Sequence, residues 1–279
     1  MTETRRYRLD DVRRFATALG AGVGMAPARA STLATHLLWF DAAGAAPFGI
    51  ATLPGWLDQI ETKIVDPHFE GKVTSERTGT AVVDGRGGLP LLVLARAGEL
   101  AVEKARDAGV GLVRVVNLAP SGPATVVAAE IAIGPAVGLV LGPGPSWSLA
   151  FPSEEGFPAI FDATLGANAL KKPARGSKHS LASLVGPWAS VLATETGWLA
   201  AAIAVTAMEP LTTFQERVTA VLKADGNGSG RLDPDDWEAR RRDVREHGVA
   251  IEPAVWKRLK HWAGRTQIET PEPCDPPRV

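Results

Sequence analysis

The residues with the most chemical potential are acids in unusual settings. Glu195 is the one acid in the low-polarity run Leu181–Ala207. An ionised carboxylate there needs a partner or else holds its proton to higher pH than usual. On a helix that lines a cleft, Glu195 would serve as a general acid or base; on an exposed helix face between Thr194 and Thr196 it would do no chemistry. A second cluster is the stretch from Asp225 to Asp236. Asp225, Asn227, Ser229, Asp233 and Asp236 put oxygen side chains at loop positions 1, 3, 5, 9 and 12, with Gly230 at position 6 and Leu232 at position 8. That is the spacing of an EF-hand calcium loop. Asp236 has a shorter arm than the usual glutamate at position 12, and no second hand accompanies it, so a flexible surface connection takes precedence over a metal site. The histidines His36, His68, His179, His247 and His261 have no H-x-x-x-H or carboxylate–histidine spacing, and no transition-metal centre is expected.

These residues need elements to hold them. Amphipathic periodicity predicts helices over Tyr7–Leu19, Ala26–Trp39 and Leu53–Ile64. Strand Thr80–Val83, helix Leu91–Ala108, strand Leu112–Val116, helix Ala124–Ala132 and strand Val137–Leu141 then alternate as an α/β protein should. Leu181–Ala207 reads as a buried helix, because Glu195, Gly186-Pro187 and Gly197 interrupt it as a membrane span. Between the first strand and its helix lies Asp84-Gly85-Arg86-Gly87-Gly88. The cluster is not G-x-G-x-x-G, and no acid ends a well-placed second strand, so it reads as a turn whose glycines permit positive φ. The expected layout is a helical segment over 1–70, an α/β core over 71–205, a helical segment over 206–265 that returns to the fold, and a Pro-rich tail over 266–279.

A chain of 279 residues that is 45% hydrophobic and 22% charged is globular. A formal charge of -1 without a basic face interleaved with aromatics gives a nucleic-acid role no support. The single Cys274 excludes an intrachain disulfide. The N-terminus has no apolar targeting core, so no membrane association and a cytoplasmic location are expected.

Several stretches, in order, carry a family resemblance. Asp41–Pro54, DAAGAAPFGIATLP, resembles D-x-x-G-x-x-S-H-G-x-x-R-L-x of the type-2 malate/L-lactate dehydrogenases. Ala81–Leu89 resembles the family's A-x-V-D-G-D-G-G-x-G stretch, and the AGELAVEKARDAGVGLVRVVN that follows resembles the next. Phe161-Asp162-Ala163-Thr164 is similar to L-D-M-A-T, and Arg175-Gly176-Ser177-Lys178-His179 to G-G-x-K-G. The resemblance implies a mixed-sheet α/β fold that is not Rossmann, a helical subdomain built from both chain ends, and a homodimer. It also implies losses. Phe48 stands at the position of a histidine that would pass a proton, and Thr52 at that of an arginine that would hold the substrate carboxylate. Leu118-Ala119-Pro120 follows Asn117 where the family has a polar loop with a second histidine, and the segment completing the nucleotide pocket looks shortened.

From these losses the leading expectation is a repurposed enzyme that needs no cofactor and cyclises, isomerises or eliminates on an apolar biosynthetic intermediate. Phe48, Thr52, Trp56, Asn117, Trp147 and Trp188 would line its pocket, with Asp162 or Glu195 moving a proton. One alternative is an NADH- or NADPH-dependent reductase of a 2-oxo acid or cyclic imine, with Lys178 and His179 as anion or cofactor contacts. The other is a noncatalytic binding or scaffold protein.

Overall fold

A computed structural model of the protein describes residues 4–120, 122–143, 146–154, 157–163, 197–225 and 234–274. It divides into two compact units, one formed by residues 1–69 and 235–279 and the other by residues 70–234.

The first unit joins the two ends of the chain. Strand β1 (Arg5–Tyr7) pairs antiparallel with β9 (Val249–Ile251), so the predicted first helix begins later than Tyr7, as α1 (Leu9–Gly22). Tyr7 is buried against Trp256, ring centroids 4.2 Å apart, and this packing draws it into the strand. In α1, Val12, Phe15, Ala16 and Leu19 recur at helical spacing and are buried. Helix α2 (Pro27–Ala42) starts with proline at its first position, where a missing N–H costs nothing, and two 3₁₀ turns, Ala46–Phe48 and Ile50–Thr52, lead into α3 (Leu53–Glu61). Helices α7 (Pro234–His247) and α8 (Pro253–Thr266) return from the other end. Asp58 of α3 accepts hydrogen bonds from Arg258 at 2.9 Å and from the Trp262 indole at 3.1 Å, which docks α8 on α3.

The second unit is a seven-stranded sheet in the order β2-β3-β4-β8-β5-β6-β7. Its strands are β2 (Lys72–Glu76), β3 (Thr80–Asp84), β4 (Val110–Val116), β5 (Ala136–Leu141), β6 (Trp147–Phe151), β7 (Ala159–Asp162) and β8 (Trp198–Ala204). Only β3 and β4 are parallel neighbours, and α4 (Pro90–Ala108) is their crossover. Helix α5 (Thr125–Ile133) packs beside α4, and α6 (Leu211–Asp225) follows the strands. Two strand glycines let the helices lie close to the sheet. A Cβ at Gly111 would overlap the Ala101 carbonyl, and one at Gly138 would overlap that of Ala128.

The mixed sheet and the helical unit made from both chain ends are as the resemblance implied. One element is corrected. Trp198–Ala204 is a central strand rather than part of a buried helix, and residues 164–196, the rest of that run, lie outside the described residues. A strand covered on both faces is apolar throughout, and periodicity cannot separate it from a buried helix. Among the described residues, no helix is long and apolar enough to cross a membrane.

Candidate functional site

The entrance segment folds around one acid. Asp41 lies in the last turn of α2, and its Oδ2 accepts the backbone N–H of Ile50 at 2.8 Å. Its carboxyl lies so close to Gly49 that a Cβ there would overlap it. Burial pushes the Asp41 carboxyl up to about 7, and the Ile50 N–H offsets only part of that. The C-terminal end of α2, where the helix dipole is negative, is also a poor place for a carboxylate. Phe48 is half-buried and meets Phe40 edge-on, centroids 6.3 Å apart. Thr52 Oγ1 donates to the Gly49 carbonyl at 2.9 Å, so its hydroxyl closes the turn. Trp56 is half-buried on α3. From α7, Arg240 donates to the Ala43 carbonyl at 2.9 Å and lies against Gly44.

In the sheet unit, β3 and β4 end together at Asp84 and Val116. The turn after β3 has Gly87 at φ +77°, as the sequence predicted for a glycine-dependent turn. Asn117 is left-handed at φ +56°, and its amide donates to Asp84 Oδ1 at 3.1 Å. The Arg86 N–H and the Asn117 amide hold the Asp84 carboxyl below the usual carboxylate range. Asn117 therefore fastens two strand ends. Leu118 is buried against Gly85, whereas Ala119 and Pro120 are exposed.

Asp162 is fully buried. It accepts the Thr125 hydroxyl at 2.6 Å and also the hydroxyl of Ser148, its partner across β6 and β7. Thr125 is the first residue of α5, so the carboxylate also meets the positive end of that helix. Asp162 thus ties α5 to the sheet. Trp147 points the other way: the register alternates it with Ser148 and groups it with Leu141 and Phe161 on the opposite face. Asp162 and Trp147, both expected site residues, are therefore not on one surface. A groove of about 540 Å³, lined by Val102, Arg106, Ile131, Ile133 and others along α4 and α5, contains none of the expected site residues.

Glu195, Trp188, Lys178 and His179 lie outside the described residues, as do Asn227, Ser229 and Asp233. Asp225 and Asp236 fall within α6 and α7. The acid that sequence reasoning passed over is Asp41. Its signal was its place as the only titratable residue between Asp41 and Leu57.

A nicotinamide dinucleotide is a ligand rich in acceptor oxygens, and the carboxyl ends of β3, β4 and β5 offer it donors. Arg86 is exposed there, and the Trp198 indole N–H, packed beside Gly142, is buried with no hydrogen-bond partner among the described residues. These residues fit such a cofactor.

Comparisons with known proteins agree. One stretch of 77 residues is 35% identical to the L-sulfolactate dehydrogenase of Methanocaldococcus jannaschii, covering 28% of this chain and 22% of that protein. Another of 95 residues is 32% identical to the malate dehydrogenase of Pyrococcus horikoshii, covering 34% and 26%. The matched stretches thus span under a third of these relatives' length. Whole folds are also similar. The solved malate dehydrogenase of Pyrococcus horikoshii OT3 gives a TM-score of 0.78 at 18% identity, covering 96% of this chain and 97% of that one. The delta1-piperideine-2-carboxylate reductase of Pseudomonas syringae pvar. tomato gives 0.71 at 17% identity, covering 94% and 100%. The family that matches is one of dehydrogenases, and this overturns two expectations, the cofactor-independent cyclase, isomerase or lyase and the absence of a cofactor. Both rested on a few substituted side chains, which bear on proton transfer and carboxylate binding, and on a nucleotide-pocket segment that reads as shortened, and neither ground outweighs the family match. The malate/L-lactate dehydrogenase profile matches residues 7–157, more than half of the 279, and the chain belongs to that family.

Proposed function

We propose that the protein is an NADH- or NADPH-dependent oxidoreductase that interconverts a 2-oxo acid and a 2-hydroxy acid. The observation that carries this reading is the family match over residues 7–157. The bound nicotinamide would supply or accept the hydride. This chain's own residues would orient both partners: Arg86 and the turn after β3 toward the dinucleotide's phosphates, and Lys178 and His179 toward an anionic group. The member is divergent. Phe48 and Thr52 take the positions that the resemblance gives to a proton-passing histidine and a carboxylate-holding arginine. Thr52 is a neutral hydroxyl that already donates to Gly49, so carboxylate binding falls to a cation elsewhere in the chain. Phenyl at 48 and Leu118-Ala119-Pro120 suit a larger, less charged substrate than malate.

A second reading is favoured by the same phenyl ring. A cyclic imine carboxylate arrives protonated at nitrogen and needs no acid at position 48, and such a reductase is among the similar solved structures.

Titration of the purified chain with NADH and NADPH, followed through tryptophan quenching, tests the cofactor. Saturable binding in the micromolar range is expected, followed by oxidation of the bound cofactor by bulky 2-oxo acids. If neither cofactor binds at millimolar concentration, both readings fall.

A further inference from the structure

The two helices that cover one face of the sheet leave a groove at their carboxyl ends. Helix α4 joins β3 to β4 and α5 joins β4 to β5, and both β4 and β5 run antiparallel to β8, so the helices lie side by side and end together where β4 and β5 begin. They approach closely at Gly98, where a Cβ would come within 2.8 Å of Val127. Beyond that point the small side chains of Ala105, Ala136 and Ala204 leave space, and Val102, Ile131 and Ile133 give it apolar walls. Ile133 is 71% exposed on its rim. The groove measures about 540 Å³, and a depression of about 300 Å³ that shares Val102, Arg106, Glu130 and Ile131 continues it along the seam. Pockets for small molecules measure about 300–1,000 Å³.

One cation in it is uncommitted. Arg106 lines both parts of the groove, is exposed, and has no hydrogen-bond or ionic partner among the described residues. The acids nearby are otherwise engaged: Arg96 holds Glu99 at 3.0 Å and Glu103 at 3.2 Å, and Glu130 has a partner of its own. Carbonyls at a helix end disfavour an anion, and Arg106, in the last turn of α4, offsets them.

We propose that this groove is a ligand site for a monocarboxylate with an apolar chain, its carboxylate held by Arg106 and its chain laid along Val102, Ile131 and Ile133. A guanidinium meets a carboxylate with two parallel N–H bonds, and the apolar walls reward a hydrocarbon body. From Gly98 to Arg106 the helix rises roughly 12 Å, which suits a chain of medium length. The site is separate from the dinucleotide's. Donors for the cofactor lie at the carboxyl ends of β3, β4 and β5, whereas the groove lies where β4 and β5 begin, the length of β5 away, roughly 20 Å. The proposal therefore does not depend on the oxidoreductase reading.

Titration calorimetry of the full chain with sodium octanoate tests it, with octan-1-ol and octylammonium as controls for the carboxylate. Octanoate is expected to saturate at one molecule per chain with a Kd of about 0.1–1 mM. Octan-1-ol should bind about threefold to tenfold more weakly, and octylammonium more weakly still. R106Q should lower octanoate to the level of octan-1-ol without changing octan-1-ol, and R106K should recover most of the loss. I133S should weaken both ligands. These variants alter exposed side chains and should melt with the wild type. The proposal is overturned if octanoate does not bind at millimolar concentration, if R106Q binds it as the wild type does, if R106K recovers nothing, or if octylammonium binds more tightly. Displacement of octanoate by NADH would put it in the cofactor's site and overturn the proposal as well. So would an I133S protein that sediments as a monomer where the wild type is a dimer, because the groove would then be a subunit interface.

Discussion

At the scale of single residues, a half-buried carboxyl and a fully buried one have opposite surroundings. Asp162 has hydroxyl donors and the start of a helix beside it; Asp41 has one backbone N–H and the end of a helix. Stability should therefore depend on pH through Asp41 in a definite direction. Its folded pKa of about 7 exceeds its ordinary 3.8, so in that interval the native state binds a proton that the unfolded chain has released. Stability must fall as pH rises from about 4 to about 7, and level off above that. A three-unit displacement corresponds to an upper bound of roughly 4 kcal/mol. Asp84 and Asp243 act oppositely, since both hold their protons less tightly when folded and so lose stability only as acid is added below about pH 4. Urea unfolding near pH 5 and pH 8 should find wild type weaker at the higher pH and D41N changed much less. Equal slopes for both proteins would remove Asp41 as the cause.

Among the elements, the seam between helices and sheet is set by glycine. Gly111 on β4 faces the Ala101 carbonyl of α4, and Gly138 on β5 faces the Ala128 carbonyl of α5, each without room for a methyl group. G111A and G138A should each cost roughly 2–4 kcal/mol, because backbone cannot yield as a flexible side chain does. Gly55, on α3, has nothing within 4 Å of its would-be Cβ. G55A should be neutral or stabilising by up to about 1 kcal/mol. Thermal melts of the three variants test the contrast, and a G111A protein that melts with the wild type would contradict the close approach. Lys104 adds a polar bolt to the same seam: it is 7% exposed and binds Glu76 and the Arg77 carbonyl at 3.0 and 2.7 Å, fastening the β2–β3 hairpin to α4.

For the whole molecule, the sheet leaves apolar side chains uncovered on the face away from α4. Val110 and Leu112 of β4 are 40% and 37% exposed. Burying such a face against a second copy is favourable at about 25 cal/mol per Å² of apolar area. We expect a homodimer, with a mass in sedimentation of twice 29.4 kDa at micromolar concentration. A species at 29.4 kDa alone would contradict it.

The origin of the helical unit in both chain ends was implied by the family resemblance; local periodicity and turn chemistry were enough to find the helix–strand alternation and the left-handed glycine after β3, since each depends on neighbours in sequence. Motif order identified the family for the same reason. The sequence did not separate strand from helix at Trp198–Ala204, where burial on both faces erases any period. Nor did it predict the surroundings of the acids. Ser148, Thr125 and Asp162 come together only when β6, β7 and α5 pack, and a sequence has no measure of how deeply a carboxyl is buried. Asp41 was visible as the first letter of a motif. Its proton affinity arises from the fold, which takes it out of water, sets it at the wrong end of a helix and supplies it with one N–H.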